Sequence, residues 1–93
     1  MSAVRYFLTY TGNKLPLRLV NPLDEDELAH RNTYIRAEYD GQDRLIRCDK
    51  VVYGEVELTH RYRYYPDGRL SAAEIVIGDD RHVMIFPEDE RAV

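Results

Sequence analysis

The sequence predicts a mainly β domain: an antiparallel meander of about seven strands, curled or partly closed into a barrel, with one short helix near residues 22–31. Apolar and polar residues alternate with period two over most of the chain, the signature of half-buried strands. Turn-forming clusters built on Gly, Asp, Asn and Pro interrupt that alternation at short intervals. Tyrosine supplies eight of the ten aromatic residues, and it suits a pleated surface that is apolar on one side and wet on the other.

The first strand lies in "VRYFLTY", with Val4, Tyr6, Leu8 and Tyr10 on one face and Arg5, Phe7 and Thr9 on the other. After "TGN", the run "KLPLRLV" groups Leu15, Leu17 and Leu19. Pro16 has no N–H to donate, which marks this second strand as an edge or a bulge. "NPLDEDELAHRN" predicts the helix: Asn21 as cap, Pro22 at the first helical position, acidic residues in the first turn, and His30 and Arg31 at the far end.

Alternation returns at Thr33, with Thr33, Ile35, Ala37 and Tyr39 sharing a face. "DGQD" turns the chain into "RLIRCDKVVY", whose mixed pattern predicts a bulge. "EVELTHRYRYY" is long and regular: Val56, Leu58, His60, Tyr62 and Tyr64 oppose Glu55, Glu57, Thr59, Arg61, Arg63 and Tyr65. "PDG" closes a hairpin into "RLSAAEIVI", "GDD" turns again, and "RHVMIF" is the last strand. The chain reads as one domain, 1–93, in which "PEDERAV", about 87–93, is a frayed acidic tail.

A hairpin pattern recurs: a tyrosine, a polar turn ending in Lys or Arg, then leucine. Aligned on the tyrosine it places Tyr10, Tyr39 and Tyr65 in register, followed by Leu15, Leu45 and Leu70. "YYPDGRL" locally resembles the hairpin units of MORN-variant and tyrosine–aspartate repeats, which are extended sheet modules. Tyrosine before the turn and leucine after it also pair across strands simply to build a hairpin. Over a longer span, "RYFLTYTGNKLPLRLVN", "RNTYIRAEYD" and "VVYGEVELTHRYRYYPDGRL" resemble a family of short bacterial proteins known only as a domain of unknown function. "KLPLRLVN" is the most distinctive part. The resemblance implies one compact bacterial domain and carries over no activity or ligand.

Bulk chemistry narrows the function classes. A net charge of −4 argues against a general nucleic-acid binder, which needs a basic footprint. Cys48 is the lone cysteine and so forms no internal disulfide, and the amino terminus lacks a secretory pattern. No apolar run approaches a bilayer span. The expected setting is the cytoplasm.

Catalytic, cofactor and metal motifs are not found. His30, His60, His82 and Cys48 lack zinc-ligand spacing, and nothing beside Cys48 marks it as an activated thiol. "DEDE" lacks the alternation and central glycine of an EF-hand loop. Glu55 and Glu57 share a face at about 7 Å, where Arg36, Arg61 or Arg63 on neighbouring strands are their expected partners. No cofactor is expected.

The residues left over form a tyrosine- and arginine-bearing strip: Arg36, Arg61, Arg63 and Tyr65. Such residues dominate interface hot spots. The expected function is therefore a small non-enzymatic accessory or binding protein, acting through this sheet face or an edge strand on a protein partner or a second copy. The alternative is a ligand-binding protein or enzyme with a half-open barrel pocket lined by His60, Tyr62 and Tyr64.

Overall fold

The computed structural model describes residues 3–87. One antiparallel sheet holds seven strands: β1 (Ala3–Thr11), β2 (Arg18–Leu23), β3 (Thr33–Tyr39), β4 (Leu45–Val52), β5 (Glu55–Tyr64), β6 (Leu70–Ile77) and β7 (Asp80–Ile85). Their spatial order is β2-β1-β3-β4-β5-β6-β7. From β3 onward the chain is a simple meander. At the other end β1 lies between β2 and β3, so β2 forms one edge and β7 the other. Among the described residues the sheet does not close. Segment 88–93, most of the stretch read as an acidic tail, lies outside the described residues.

The helix α1 (Glu25–Leu28) is a single turn, much shorter than the predicted 22–31. Asn21 and Pro22 belong to β2 instead, with Asn21 at φ 61°. Asp24 takes over as the cap, and its N–H donates to Glu27 Oε1 at 3.0 Å. His30 and Arg31 therefore lie beyond the helix. The second strand also starts late. Pro16 cannot enter a hydrogen-bond ladder, and the chain from Gly12 to Leu17 forms a loop before β2 begins at Arg18.

That loop makes the core. The inner sheet face carries Phe7, Ile35, Ala37, Leu45, Cys48, Tyr62 and Ala73, all buried. Leu15, Leu17 and Leu19 pack onto them from the β1–β2 hairpin. Leu17 N–H donates to the Tyr62 hydroxyl at 3.1 Å, fastening the loop to β5. A single-layer sheet must cover its apolar face, and here a leucine-bearing loop does so in place of a helix layer.

The hairpins β3–β4 and β5–β6 are copies of one unit. Asp40 N–H donates to the Arg44 carbonyl at 2.9 Å and Asp43 N–H to the Asp40 carbonyl at 3.0 Å. In the second turn, Tyr65 N–H reaches the Arg69 carbonyl at 2.8 Å and Gly68 N–H the Tyr65 carbonyl at 2.9 Å. The fourth turn residue is left-handed in both, Asp43 at φ 63° and Gly68 at φ 95°. Each hairpin carries the same bulge, after which Tyr39 faces Leu45 and Tyr64 faces Leu70. The structural offset is thus 25 residues, and it equates Tyr39 with Tyr64, not with Tyr65. Tyr10 does not share this turn: it pairs with Leu19 across a longer loop.

Candidate functional site

The 25-residue offset organises the charged outer face. In the first hairpin Arg36 stands across from Asp49, and in the second Arg61 stands across from Glu74. Both are ion pairs, at 3.9 and 2.8 Å. Asp49 is buried, accepts the Thr59 hydroxyl at 2.7 Å, and is approached by Arg47 Nε at 3.2 Å. Glu74 is more exposed and also holds Arg81 of β7. Hydrogen bonds from Arg61 and Arg81 hold the Glu74 carboxyl below its ordinary range. Glu57 lies 3.8 Å from Lys50, so the arginines of this face are matched by Asp49 and Glu74, not by Glu55 and Glu57 as predicted.

The two units differ at one pair of positions. The first places Glu38 opposite Arg47. The second places Arg63 opposite Ala72. An acid–base pair has become a cation facing a methyl group. Arg63 is exposed and has no ion-pair or hydrogen-bond partner among the described residues. The small side chain of Ala72 leaves a depression of about 290 Å³, walled by Arg61 and Arg63 on one side and by Val83 and Ile85 on the other, with Glu74 at one end. Val83 and Ile85 are 54% and 67% exposed, so this wall is apolar and open to solvent.

The predicted strip is thereby divided. Arg61 and Arg63 project from β5 on the outer face beside the depression. Arg36 lies two strands away, engaged with Asp49. Tyr65 is a turn residue whose hydroxyl donates to the Phe86 carbonyl, and the Arg69 guanidinium lies 5.5 Å from its ring centre. It serves to join the β5–β6 turn to the end of β7.

His60, Tyr62 and Tyr64 do converge, on the inner face, as packed core. His60 and Tyr62 are buried. The Tyr62 hydroxyl lies 2.6 Å from His60 Nδ1 while accepting Leu17 N–H. His60 Nδ1 is the one acceptor against that hydroxyl among the described residues, so its hydrogen is assigned to Nδ1, with the ring proton on Nε2. Burial pulls the His60 imidazole below its ordinary value, consistent with a neutral acceptor. Tyr64 donates to the Leu45 carbonyl at 2.6 Å, and burial pushes its phenol up to about 12.

Cys48 stands directly opposite His60 on the β4–β5 ladder. Burial, with Asp49 nearby, pushes the thiol up to about 12, so this pair holds a protonated sulfur and not an activated nucleophile. His82 lies further along the same row of the sheet, opposite Ile75 on the exposed strand β7. His30 is exposed in the turn after α1. Among the described residues no three ligating side chains cluster in a way that would hold a metal ion.

Sequence reasoning picked out the arginines and missed Ala72, Glu74, Val83 and Ile85. The signal that finds them is the alignment of Arg36 and Asp49 with Arg61 and Glu74, visible once the repeat is set on Tyr64. No described helix is long and apolar enough to cross a membrane. No curated protein matches the chain, and no solved structure does either. A family model, described as a family of unknown function (DUF6156), matches residues 1–93.

Proposed function

Since the chain belongs to DUF6156, a family of unknown function, no activity is inherited, and we propose from its surface that it is a small non-enzymatic binding protein. Its contact site is the outer face around Arg61, Arg63 and the depression over Ala72. The observation that carries this reading is the break in the internal repeat, where Glu38 opposite Arg47 becomes Arg63 opposite Ala72. A hairpin copied for structure alone gains nothing from an unmatched cation beside an exposed apolar wall.

The chemistry of the site fits a protein partner that offers a carboxylate next to an apolar side chain. The carboxylate would meet Arg63, which is not committed elsewhere, and the apolar group would lie against Val83 and Ile85. Nucleic acid fits less well. The other guanidinium groups of this face, on Arg36, Arg47, Arg61 and Arg81, already share Asp49 and Glu74, and the chain is acidic as a whole. The alternative pocket around His60, Tyr62 and Tyr64 has less support, because Leu15, Leu17 and Leu19 pack onto that inner face.

The test is affinity capture from the native cell with the wild type and an Arg61→Ala/Arg63→Ala variant side by side. A partner retained by the wild type and lost by the variant, at an unchanged thermal midpoint, supports the reading. Equal capture by both proteins, or unfolding of the variant, removes it.

A further inference from the structure

The two edges of the sheet differ in kind. β2 is blunted: Asn21 at φ 61° and Pro22 interrupt it, and its ladder with β1 skips the Leu8–Asn21 rung. Such interruptions are how sheet proteins prevent unwanted strand addition. β7 has none of them. Its register with β6 is unbroken from Ala72↔Ile85 to Ile77↔Asp80. No proline lies within it, and all six residues are exposed.

Its side chains also do not suit an edge. An edge strand of a one-sided sheet should be polar on the solvent face, whereas β7 presents Val83 and Ile85 on the outer face and Met84 on the inner one. An unbroken edge strand that exposes apolar side chains is a template for pairing with another strand. The repeat points the same way. β3 and β5 each open a hairpin and are followed by a second strand, β4 and β6. β7 occupies the position of a third opening strand, with an unfilled place beside it among the described residues.

We propose that this place is filled by β7 of a second copy, paired antiparallel across a two-fold axis that passes beside Val83. Strand pairing across such an axis keeps each face continuous, so a residue must meet one of the same parity. Centred on Val83, the register sets Val83 against Val83, His82 against Met84, and Arg81 against Ile85. No like charges oppose each other, and each Arg81 keeps its own Glu74. Centring on His82 would instead oppose two histidines and set Asp80 against Met84. The axis puts two depressions over Ala72 on the same face of one continuous sheet. The inference stands on the edge strand and does not depend on the binding reading above.

Five paired residues are a small contact, below the roughly 1,200 Å² typical of stable complexes, so the dimer should be weak and concentration-dependent. Sedimentation from about 10 μM to 1 mM should show the wild type passing from monomer to dimer, in the range expected of small interfaces. Val83→Lys should hold it monomeric with an unchanged far-ultraviolet spectrum, because two lysines would meet at the axis. In a Cys48→Ala background, Val83→Cys should form an interchain disulfide on mild oxidation. Arg81→Cys should not, since its two copies lie about four residues, ~14 Å, apart along the strands. A strict monomer at the highest concentration overturns the proposal, and such a monomer capturing a foreign strand along β7 assigns the edge to another partner. Equal dimerisation of Val83→Lys, or equal cross-linking through Arg81→Cys, also overturns it. Arg61→Ala/Arg63→Ala should dimerise normally, which separates failure here from failure of the binding site.

Discussion

Leu17 N–H and the Tyr62 hydroxyl meet at 3.1 Å across the inner face of the sheet, joining a loop near the start of the chain to the middle of β5. Strands β3 and β4 lie between β1 and β5, so this bond and the leucines around it are what turn an open sheet into a domain with an interior. The same hydroxyl lies in hydrogen-bond contact with His60 Nδ1 at 2.6 Å, so a single oxygen serves both a loop amide and an imidazole.

Tyr62→Phe should therefore destabilise the fold without rearranging it. The ring stays, but Leu17 N–H and His60 Nδ1 lose their partner. A buried group left unpaired costs about 1–3 kcal/mol. Urea unfolding should show a lower midpoint with an unchanged slope. A variant as stable as the wild type would mean that water replaces the hydroxyl there and that the leucines alone hold the loop.

The same cluster sets a pH dependence. Burial depresses the His60 pKa in the folded state. Below the ordinary histidine value of about 6.5 the unfolded chain takes up a proton that the folded chain refuses. The stability contributed by neutral His60 is thus present above about pH 6.5 and is lost as pH falls through the lower folded value. His60→Gln, which keeps an acceptor for Tyr62, should flatten the stability profile between about pH 7 and 5. Asp40, Asp67 and Glu74, all held below their ordinary values by hydrogen bonds, add a separate loss at more acid pH. That loss should persist in the variant.

Equivalent carboxylates in the two hairpins should differ in what their removal costs. Asp49 is 5% exposed at the side chain and serves Thr59, Arg47 and Arg36, whereas Glu74 is 20% exposed and serves two arginines that reach solvent. Asp49→Ala leaves a buried hydroxyl unpaired and should cost about 1–3 kcal/mol. Glu74→Ala should cost clearly less, because the two arginines it releases reach solvent and are screened there. Adding Thr59→Val to Asp49→Ala should cost less than the sum of the two, because both remove the same bond. Parallel chemical denaturation of the four variants measures all of this.

Much of this was legible in the sequence, for reasons that can be stated residue by residue. Period-two alternation in "EVELTHRYRYY" put His60, Tyr62 and Tyr64 on one face and Arg61 and Arg63 on the other, because strand geometry leaves no other choice. The mixed pattern of "RLIRCDKVVY" reflects the bulge at Ile46 and the burial of both Cys48 and Asp49, which lie on opposite faces. What alternation cannot carry is which distant segment covers a face. Leu15 and Leu17 read as strand residues because they alternate, but Pro16 between them frees the segment to cross the sheet as a loop. Asn21 and Pro22 read as a helix start from local preference, but Pro22 pairs with Phe7 of β1 and Asn21 takes a left-handed kink at φ 61° inside β2. The repeat was visible but set one residue late, since Tyr64 and Tyr65 are adjacent and only the bulge before Tyr64 separates their roles.

With the repeat set on Tyr64, the first hairpin specifies how the second would look without a binding site. Arg63→Glu with Ala72→Arg copies the Glu38 and Arg47 arrangement into the second unit and fills the depression with a guanidinium. Both positions lie on the solvated outer face, so stability should change by no more than about 0.5–1 kcal/mol. Partner capture should fall to the level of a blank resin. Arg63→Glu alone leaves the depression open and reverses its charge, so it should also lose an acidic partner. Ala72→Arg alone blocks the depression but keeps the cation, and it separates the two contributions: retained capture would place the contact on Arg63 itself, and lost capture would place it in the space over Ala72.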